Sequence, residues 1–356
     1  MILLFDPQPP FLRWYKVTDG QCAKGRCRFT PQWASAVRDD LGSGDPPDTV
    51  GYFLAHGGEQ ITDTVTPLSP VSLATLGDTL RFSPESNGLT LKVARRWMAE
   101  APNARHLLFC DTAFYADLPA EASTYAIPYE LRKKGIKRYG DSGICHQWAW
   151  DQARAHFGAS AQRVISIYLG DRSSMAAVKN GRPLETSAGF TTVEGIPSAT
   201  ACGDIDPTIV FQMRATGLSF DEINRLLSEQ SGFTGLVGKK CGFPDLLRRQ
   251  DDVRFARQVY FYSIIKHLGA LLPVLGGVDI FVFVSAYLEA SRDLIREICQ
   301  RMGFLGLNDQ VWEDGPQDVR TLTVSDSPVQ ALGLAYRKWT VMAQMARLQQ
   351  QEISRW

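Results

Sequence analysis

The 356-residue sequence predicts an α/β fold divided into two domains. A chain of this length exceeds what one compact hydrophobic core usually holds. Short apolar runs, each followed by turn residues, indicate strands that are buried on both faces. Other stretches carry apolar residues at spacings of three and four, which is typical of amphipathic helices. The alternation of these two patterns favours the α/β class.

The elements follow from these two patterns in chain order. Strands are predicted at Ile2–Phe5, Val50–Leu54, Leu107–Cys110, Val164–Leu169 and Ile280–Val284. Helices are predicted at Thr90–Ala101, His146–Phe157, Ser219–Gln230, Val253–Leu272 and Ser291–Met302. A last amphipathic stretch covers Pro328–Arg347. The most apolar region, Leu268–Val284, is interrupted by proline and glycine, so we interpret it as helix, turn and strand rather than a membrane span.

The composition excludes several classes of protein. Lys and Arg together number 38, as do Asp and Glu, so no overall field attracts nucleic acid or an anionic membrane. The seven cysteines are odd in number and show no CxxC spacing, which argues against a disulfide framework or a zinc site. The first residues carry no basic segment typical of a signal peptide. We therefore expect a cytoplasmic protein without nucleic-acid or membrane partners.

Short motifs spread along most of the chain resemble those of the acetate kinase family of acyl-phosphate kinases. They occur in the order that the family has them. The matching segments are HGGE at His56–Glu59, DTAF at Asp111–Phe114, YAIP at Tyr125–Pro128, RYG at Arg138–Gly140 with His146, GFT and EG within Gly189–Gly195, GDIDP at Gly203–Pro207 and SGFTGLVG at Ser231–Gly238.

This resemblance implies a two-domain fold of the actin–hexokinase–Hsp70 (ribonuclease H-like) type with mixed central sheets. It implies a first domain at residues 1–113 plus 328–356 and a second at 114–327, together with a homodimer. Family activity would be phosphate transfer between ATP and a short-chain carboxylate, with ATP and Mg²⁺ as cofactors if activity is retained. The family's metal-binding glutamate falls near Asp326–Pro328, where no glutamate stands.

The segment Asp6–Arg13 departs from the family's phosphate loop after the first strand. Phosphate cradles depend on backbone N–H groups and on flexible glycine. Pro7, Pro9 and Pro10 provide no N–H group. Asp6 adds a negative charge at the place of an amide, although its carboxylate could hold a metal ion, and Arg13 keeps the cation of the loop.

Three further positions that handle charge in the family carry other residues here. The carboxylate-binding arginine, three positions before HGGE, corresponds to Phe53. The histidine that stabilises the transferring phosphoryl group corresponds to Ser142, and the arginine two residues before GDIDP corresponds to Ala201. Asp111 matches the family's acid/base aspartate, and His146 matches the second histidine of its RYGFHGTSH motif. These two are the candidate catalytic residues.

The nucleotide side is altered in the same way. The family's HLGNG phosphate loop corresponds to Tyr168–Arg172, in which Gly170 is the retained glycine. Its SSDMR adenosine contacts correspond to Cys241–Pro244. The GGIGEN loop corresponds to Ser285–Ala290, which contains Glu289 and where side chains fill space that glycine leaves open.

Two hypotheses follow from these replacements. The first is a degenerate family member that has lost its activity and acts as a binding, regulatory or scaffold protein, with a possible protein partner. The second is an active acyl kinase with a changed substrate or phosphate donor. In that case Phe53 and Tyr287 would line a more apolar pocket, while Arg13 or Arg172 would serve the phosphates.

A third hypothesis is an enzyme of different chemistry in the same cleft. Asp111, His146, Cys145 and Asp204, the first aspartate of GDIDP, are its candidate groups. Nothing in the sequence names a substrate for it. A screen of metabolites by thermal shift separates this hypothesis from a pure scaffold.

Overall fold

The computed structural model describes residues 1–42, 45–307, 311–312 and 318–353, and the chain forms two compact units. The first unit comprises Met1–Ala116 and Arg337–Trp356, and the second comprises Asp117–Tyr336. From the sequence, the chain is expected to pass from the first domain to the second after residue 113 and to return after residue 327. In the structure the second unit ends at Tyr336, because a strand of its sheet runs to Ala335.

The first unit is built on one mixed sheet. Its elements before residue 117 are β1 (Ile2–Gln8), β2 (Phe11–Thr18), β3 (Gln21–Arg28), α1 (Trp33–Leu41), β4 (Thr49–Leu54), β5 (Val65–Pro67), α2 (Pro70–Thr75), α3 (Pro84–Glu100) and β6 (Arg105–Cys110). The strand order is β3-β2-β1-β4-β6-β5. Strands β1, β4 and β6 are parallel, whereas the other pairs are antiparallel.

The second unit repeats this arrangement. Its elements are α4 (Ala120–Ser123), α5 (Tyr129–Arg132), α6 (Gly143–Phe157), β7 (Arg163–Leu169), β8 (Ser174–Lys179), β9 (Arg182–Thr186), α7 (Thr208–Ala215), α8 (Phe220–Glu229), α9 (Gly232–Val237), α10 (Phe243–Leu247), α11 (Arg254–Leu275), β10 (Ile280–Ser285), α12 (Arg292–Arg301), β11 (Val319–Thr321) and β12 (Gln330–Ala335). The strand order β11-β12-β10-β7-β8-β9 again joins an antiparallel meander to parallel strands. The last helix, α13 (Lys338–Ile353), belongs to the first unit and packs on β1, β4 and β5.

The apolar runs form the sheet centres, as predicted. Every residue of β4 and of β10 is buried, because helices cover these strands. In the first unit α3 packs against β1 and β4, and in the second α6 and α11 pack against the sheet. The α/β class with mixed central sheets is confirmed.

Two expectations about local structure are corrected. The segment around Asp6 is not a loop, because β1 continues to Gln8 and a two-residue turn leads directly into β2. The stretch Pro328–Arg347 is not one amphipathic element. Its first half is β12, where Gly333 pairs with Phe283 in the parallel register, and the helix begins only at Lys338. In the described part of the chain, no helix is both long and apolar enough to cross a membrane.

Candidate functional site

The candidate residues of the first unit lie at one edge of its sheet. Asp6 belongs to β1 and Phe53 to β4, and Asp111 directly follows β6. The carboxyl ends of these parallel strands share an edge, which is where open α/β sheets bind ligands. Arg13 lies on β2, opposite Asp6 in the antiparallel register.

A lysine that the sequence reading did not single out reaches this edge. Nζ of Lys338, the first residue of α13, donates to Oδ1 of Asp6 at 3.1 Å. Nε2 of Gln8 donates to the other carboxylate oxygen at 3.0 Å. Asp6 is only 2% exposed, so these donors replace the water that a carboxylate otherwise needs. Asp6, Gln8, Phe53 and Lys338 are called the Asp6 cluster below.

The ring of Phe53 on β4 is buried. The Lys338 ammonium lies 3.6 Å from the centre of this ring, a cation–π arrangement. The Phe53 carbonyl accepts a hydrogen bond from Oγ1 of Thr90 at 2.8 Å, which ties β4 to α3. The one ammonium of the cluster is thus held by the Asp6 carboxylate and by the Phe53 ring together.

Arg13 and Asp6 both act on the hydroxyl of Tyr15. Burial raises the pKa of this hydroxyl, the Asp6 charge raises it further, and Arg13 opposes both effects. The Tyr15 ring also stacks on Trp339 of α13, with 6.2 Å between ring centres. Arg13 is therefore placed beside a phenol of its own unit.

The HGGE and DTAF segments form two turns, which a hydrogen bond joins. Nδ1 of His56 accepts from the backbone N–H of Gly58 at 3.0 Å, and the imidazole stacks on Phe82. The N–H of Gly57 donates to Oγ1 of Thr112 at 2.9 Å, which links the two segments directly. Asp111, only 7% exposed, begins the turn at 112–115. These contacts join the two motifs at the sheet edge.

In the second unit, hydrogen bonds involving Ser173 stabilise the turn after β7. The N–H of Gly170 donates to Oγ of Ser173 at 3.1 Å, and Oγ of Ser173 lies 2.7 Å from the hydroxyl of Tyr260. The Tyr168 ring packs edge-on against Tyr336, with 5.5 Å between centres. A Cβ atom at Gly170 would lie 3.3 Å from the Tyr168 hydroxyl, so this glycine permits the close approach of that phenol.

Asp171 of the same turn caps a helix. Its Oδ1 accepts from the backbone N–H of Phe243, the first residue of α10, at 2.7 Å. Its carbonyl accepts from the N–H of Ala199 at 2.8 Å. A carboxylate therefore occupies the start of the segment that corresponds to the family's adenosine contacts. Arg172, the next residue, is exposed.

Side chains occupy the segment 285–290 that corresponds to the family's glycine loop. Oγ of Ser285 donates to the carbonyl of Leu169 at 2.9 Å. The ring of Tyr287 lies 6.2 Å from the ring of Phe243. The Glu289 carboxylate forms an ion pair with the buried Arg320 at 2.5 Å. This segment is joined to its neighbours through side chains.

Ser142 and Ala201 are the two positions at which the resemblance implies replaced phosphoryl contacts. Ser142 has a left-handed backbone with φ of 57° at the start of α6. Ala201 is 6% exposed, and its N–H donates to Oγ of Ser198 at 2.8 Å. Neither side chain offers a positive charge.

Asp204 is bonded within the second unit. Its Oδ1 accepts from the N–H of Gly195 at 2.8 Å, and its Oδ2 lies 3.3 Å from Nε2 of His267 and 3.5 Å from Nζ of Lys266. Burial opposes ionisation of this carboxyl, but the His267 and Gly195 contacts outweigh it, so the pKa of Asp204 lies below its usual value. Asp204 thus joins the segment before α7 to α11.

The YAIP, RYG and EG motifs meet in one network beside a cavity of about 410 Å³. Nη1 of Arg138 donates to Oε1 of Glu185 at 2.7 Å, and its Nε lies 3.7 Å from Glu194. The Tyr125 hydroxyl donates to Glu194 and accepts from the N–H of Phe190 at 2.7 Å. These retained residues are partners of one another.

His146 lies in the core of the second unit. Its Nδ1 is 2.8 Å from Oγ of Ser166 and its Nε2 is 2.9 Å from Oγ of Ser174. Burial lowers the pKa of His146 to about 3, although Asp141 opposes this effect. The side chain is 0% exposed, so the imidazole is neutral and enclosed at physiological pH.

Several of these contacts were not predicted from the sequence. Lys338 and Asp6 are 332 positions apart, and no local pattern joins them. Asp171 lies within a segment already considered, but it is 72 positions from Phe243, so no local cap signal joins the two. In the residues that the structure describes, no cluster of three or more His, Cys, Asp or Glu side chains could hold a metal ion.

Comparison with known proteins gives one consistent result. The model of the acetokinase family matches residues 43–334. Acetate kinase of Clostridium novyi (strain NT) is 33% identical over 297 residues, which cover 80% of this chain and 73% of that protein.

Solved structures agree with the sequence comparison. The crystal structure of Porphyromonas gingivalis acetate kinase superposes with a TM-score of 0.85 at 25% identity, over 96% of this chain and 98% of that one. The structure of acetate kinase from Entamoeba histolytica gives a TM-score of 0.84 at 24% identity, over 97% and 98% of the two chains, which shows a common fold.

Proposed function

The chain belongs to the acetokinase family, and from this premise we propose that phosphate transfer between ATP and a short-chain carboxylate is lost or strongly reduced in it. The protein then acts through binding, as a regulatory or scaffold protein with a protein partner. The fold is kept for this purpose, while the charged groups of the reaction have been replaced.

The Asp6 cluster is the observation that carries this proposal. An acceptor carboxylate needs a cation with free donors, and phosphoryl transfer needs further positive charge. Here the corresponding position is the buried Phe53 ring, and the ammonium above it already pairs with Asp6. An anionic substrate would have to compete with a carboxylate that is tethered in the same cluster.

Loss of the two phosphoryl contacts adds to this effect. Removing one arginine that stabilises the transition state of phosphoryl transfer costs roughly 10³–10⁵ in rate. Ala201 and Ser142 stand where the family has an arginine and a histidine, and neither carries a charge. His146, which is retained, is enclosed between two serines. We therefore assign His146 a structural function.

The residues at the corresponding positions do not fit ATP and Mg²⁺ as the family would bind them. The Asp171 carboxylate caps α10 and would repel a phosphate there, and Tyr287 and Glu289 fill the segment that glycines leave open in the family. Asp6, the candidate metal ligand, binds the Lys338 ammonium. We derive no catalytic step through either cofactor.

Acyl phosphate formation from ATP with acetate or propionate tests the proposal. We expect a rate at least roughly 10³-fold below that of an active acetate kinase assayed in parallel, because the arginine replaced by Ala201 would alone contribute on that order. Hydroxamate trapping of the acyl phosphate measures the product directly.

Asp111→Ala is the control for this assay. Any residual signal that is equal in the wild type and in Asp111→Ala comes from contamination and agrees with the proposal. A rate near that of the active kinase, abolished by Asp111→Ala, would contradict it.

Lys338 favours a second candidate function, an acyl kinase with a changed substrate or phosphate donor. Its ammonium lies directly over Phe53, so it could replace the missing arginine if a substrate displaced Asp6. Assays with longer carboxylates, and with pyrophosphate in place of ATP, examine this alternative. It requires turnover that Lys338→Met removes and Lys338→Arg retains.

We further propose a homodimer formed through the second unit. Helix α7 has no buried residue, yet it carries Ile209 and Phe211, which are 39% and 67% exposed. Phe220 on α8 and Tyr262 on α11 are 66% and 72% exposed. Apolar side chains at this exposure are typical of an interface. A second copy would cover them.

Sedimentation equilibrium of Phe211→Glu/Tyr262→Glu tests the dimer. We expect the dissociation constant to rise about tenfold or more, because each glutamate places a charge in an apolar contact. Val71→Glu changes a residue of the first unit that is 79% exposed and is expected to leave association unchanged. A wild type that sediments as a monomer at micromolar concentration overturns the proposal.

The thiol content supports the proposal of a cytoplasmic protein. None of the seven cysteines, all of which lie in the described residues, forms a disulfide. Free thiols persist in reducing compartments, whereas secreted proteins usually pair them.

A further inference from the structure

A groove in the first unit is formed largely by residues that precede the segment matched by the family model. The family model begins at residue 43, yet the residues before it form β1, β2, β3 and α1. Between α1 and α3 these residues bound a cavity of about 690 Å³, within the range of small-molecule sites. The lining residues are Phe29, Thr30, Pro31, Gln32, Trp33, Ala34, Ser35, Arg38, Lys92 and Arg96.

The charge of this groove is positive. Arg38 comes from α1, Lys92 and Arg96 come from successive turns of α3, and no acidic side chain is part of the lining. Glu100 pairs with Arg96 at 2.6 Å and with Arg38 at 3.6 Å from the end of α3. One carboxylate therefore pairs with two of the three cations, and two of the three positive charges remain uncompensated by it.

The first turn of α1 adds to this field. Residues 32–35 line the groove, and no acidic residue lies in that turn. The N-cap residue, Gln32, makes no side-chain cap hydrogen bond. A helix start attracts anions through its N–H groups and dipole, so it acts in the same direction as the three cationic side chains.

An aromatic pair forms the remaining wall. The rings of Phe29 and Trp33 stack at 5.3 Å, and Nζ of Lys92 lies 5.9 Å from the centre of the Phe29 ring. Trp33 is 8% exposed, which fixes the start of α1 against the sheet. The aromatic pair thus closes one side of the cavity, and Lys92 lies against it.

We propose that this groove binds a phosphorylated small molecule, with its phosphates between Arg38, Lys92, Arg96 and the first turn of α1. Arginine and lysine around a helix start are the groups that bind phosphate most effectively. The site is separate from the residues that correspond to the family's reaction, and it does not depend on the proposed loss of activity.

Titration calorimetry at low salt with pyrophosphate, tripolyphosphate and ADP tests this proposal. We expect binding that weakens as salt rises, because the attraction is electrostatic. Arg38→Gln/Arg96→Gln is expected to weaken binding about tenfold or more. Tighter binding of ADP than of pyrophosphate would mean that the aromatic wall contacts the base, whereas equal binding would mean that the phosphates alone are recognised.

Two variants separate a ligand site from a structural effect. Arg95→Gln changes the neighbouring arginine of α3, which lines a different cavity, and is expected to leave binding unchanged. Ser35→Glu adds an acid to the first turn of α1, which favours the helix but repels a phosphate. We expect it to keep or raise the melting temperature while it reduces binding.

The outcomes also distinguish this proposal from the proposed function. The proposed phosphate site is overturned if the wild type does not bind. It is also overturned if neither Arg38→Gln/Arg96→Gln nor Ser35→Glu weakens binding. Binding that instead disappears in Arg172→Gln would place the phosphates in the second unit and contradict the proposed loss of the nucleotide site.

Discussion

Lys338→Met is expected to lower the free energy of unfolding by about 2–3 kcal/mol. Removing one partner of a buried ion pair leaves the other charge without compensation, which typically costs about 3–5 kcal/mol. The lower range applies because the side chain of Lys338 is 24% exposed, although that of Asp6 is only 3% exposed. Methionine keeps most of the contact with Phe53, so the loss reports the charge. Urea unfolding at neutral pH measures it.

Three companion variants identify the cause of this loss. Arg347→Met removes an exposed cation from the same helix and is expected to stay within about 0.5 kcal/mol of the wild type. Lys338→Arg keeps the charge and is expected to retain most of the stability. Adding Asp6→Asn to Lys338→Met should recover more than 1 kcal/mol, on the order of coupling energies between contacting residues. An unchanged double variant would show that packing, not charge, matters.

His146 is expected to make the protein less stable as the pH falls below neutral. Burial holds the pKa of this imidazole at about 3 in the folded protein, whereas an unfolded histidine titrates near 6.5. Between these values the unfolded chain binds one more proton, so stability is present above about 6.5 and decreases as the pH falls toward 3. Between pH 7 and pH 5 the expected contribution is about 2 kcal/mol.

The pH effect is measured as a difference between two proteins. Urea unfolding of the wild type and of His146→Gln at pH 7 and at pH 5 gives the part due to this side chain, since the other groups titrate in both. The wild type should lose about 2 kcal/mol more than the variant. His156→Gln, an exposed residue of the same helix, should follow the wild type. Parallel curves for His146→Gln and the wild type would refute the assignment.

Central strands and long helices could be predicted because burial determines their sequences. The apolar runs at β4 and β10 are covered on both faces, so few other structures accommodate them. The strands β2 and β3 were missed, because β3 has no buried residue and is mostly polar, and because the apolar residues of β2 are interrupted by Arg13 and Lys16. β12 was merged with a helix because the short run Gln330–Ala335 has no distinctive period.

The candidate site divides in a similar way. The proposed replacements at Phe53, Ser142 and Ala201 could be inferred from the sequence, because each of these residues lies beside a segment that matches a family motif. Their present contacts could not be predicted. The pairing of Asp6 with Lys338 depends on how a helix from the end of the chain returns to the first sheet, and long-range pairs leave no periodic signal.

The network of Tyr125, Arg138, Glu185 and Glu194 has a consequence for how relatives of this chain are recognised. Each of its side chains is held by a neighbour in the same network, so substitution of one member leaves a charge or hydroxyl unpaired whether or not the protein turns over a substrate. A chain that keeps this fold without the activity would therefore still benefit from keeping these side chains. A similarity search that scores them registers inherited architecture, and enzymatic competence has to be judged at other positions.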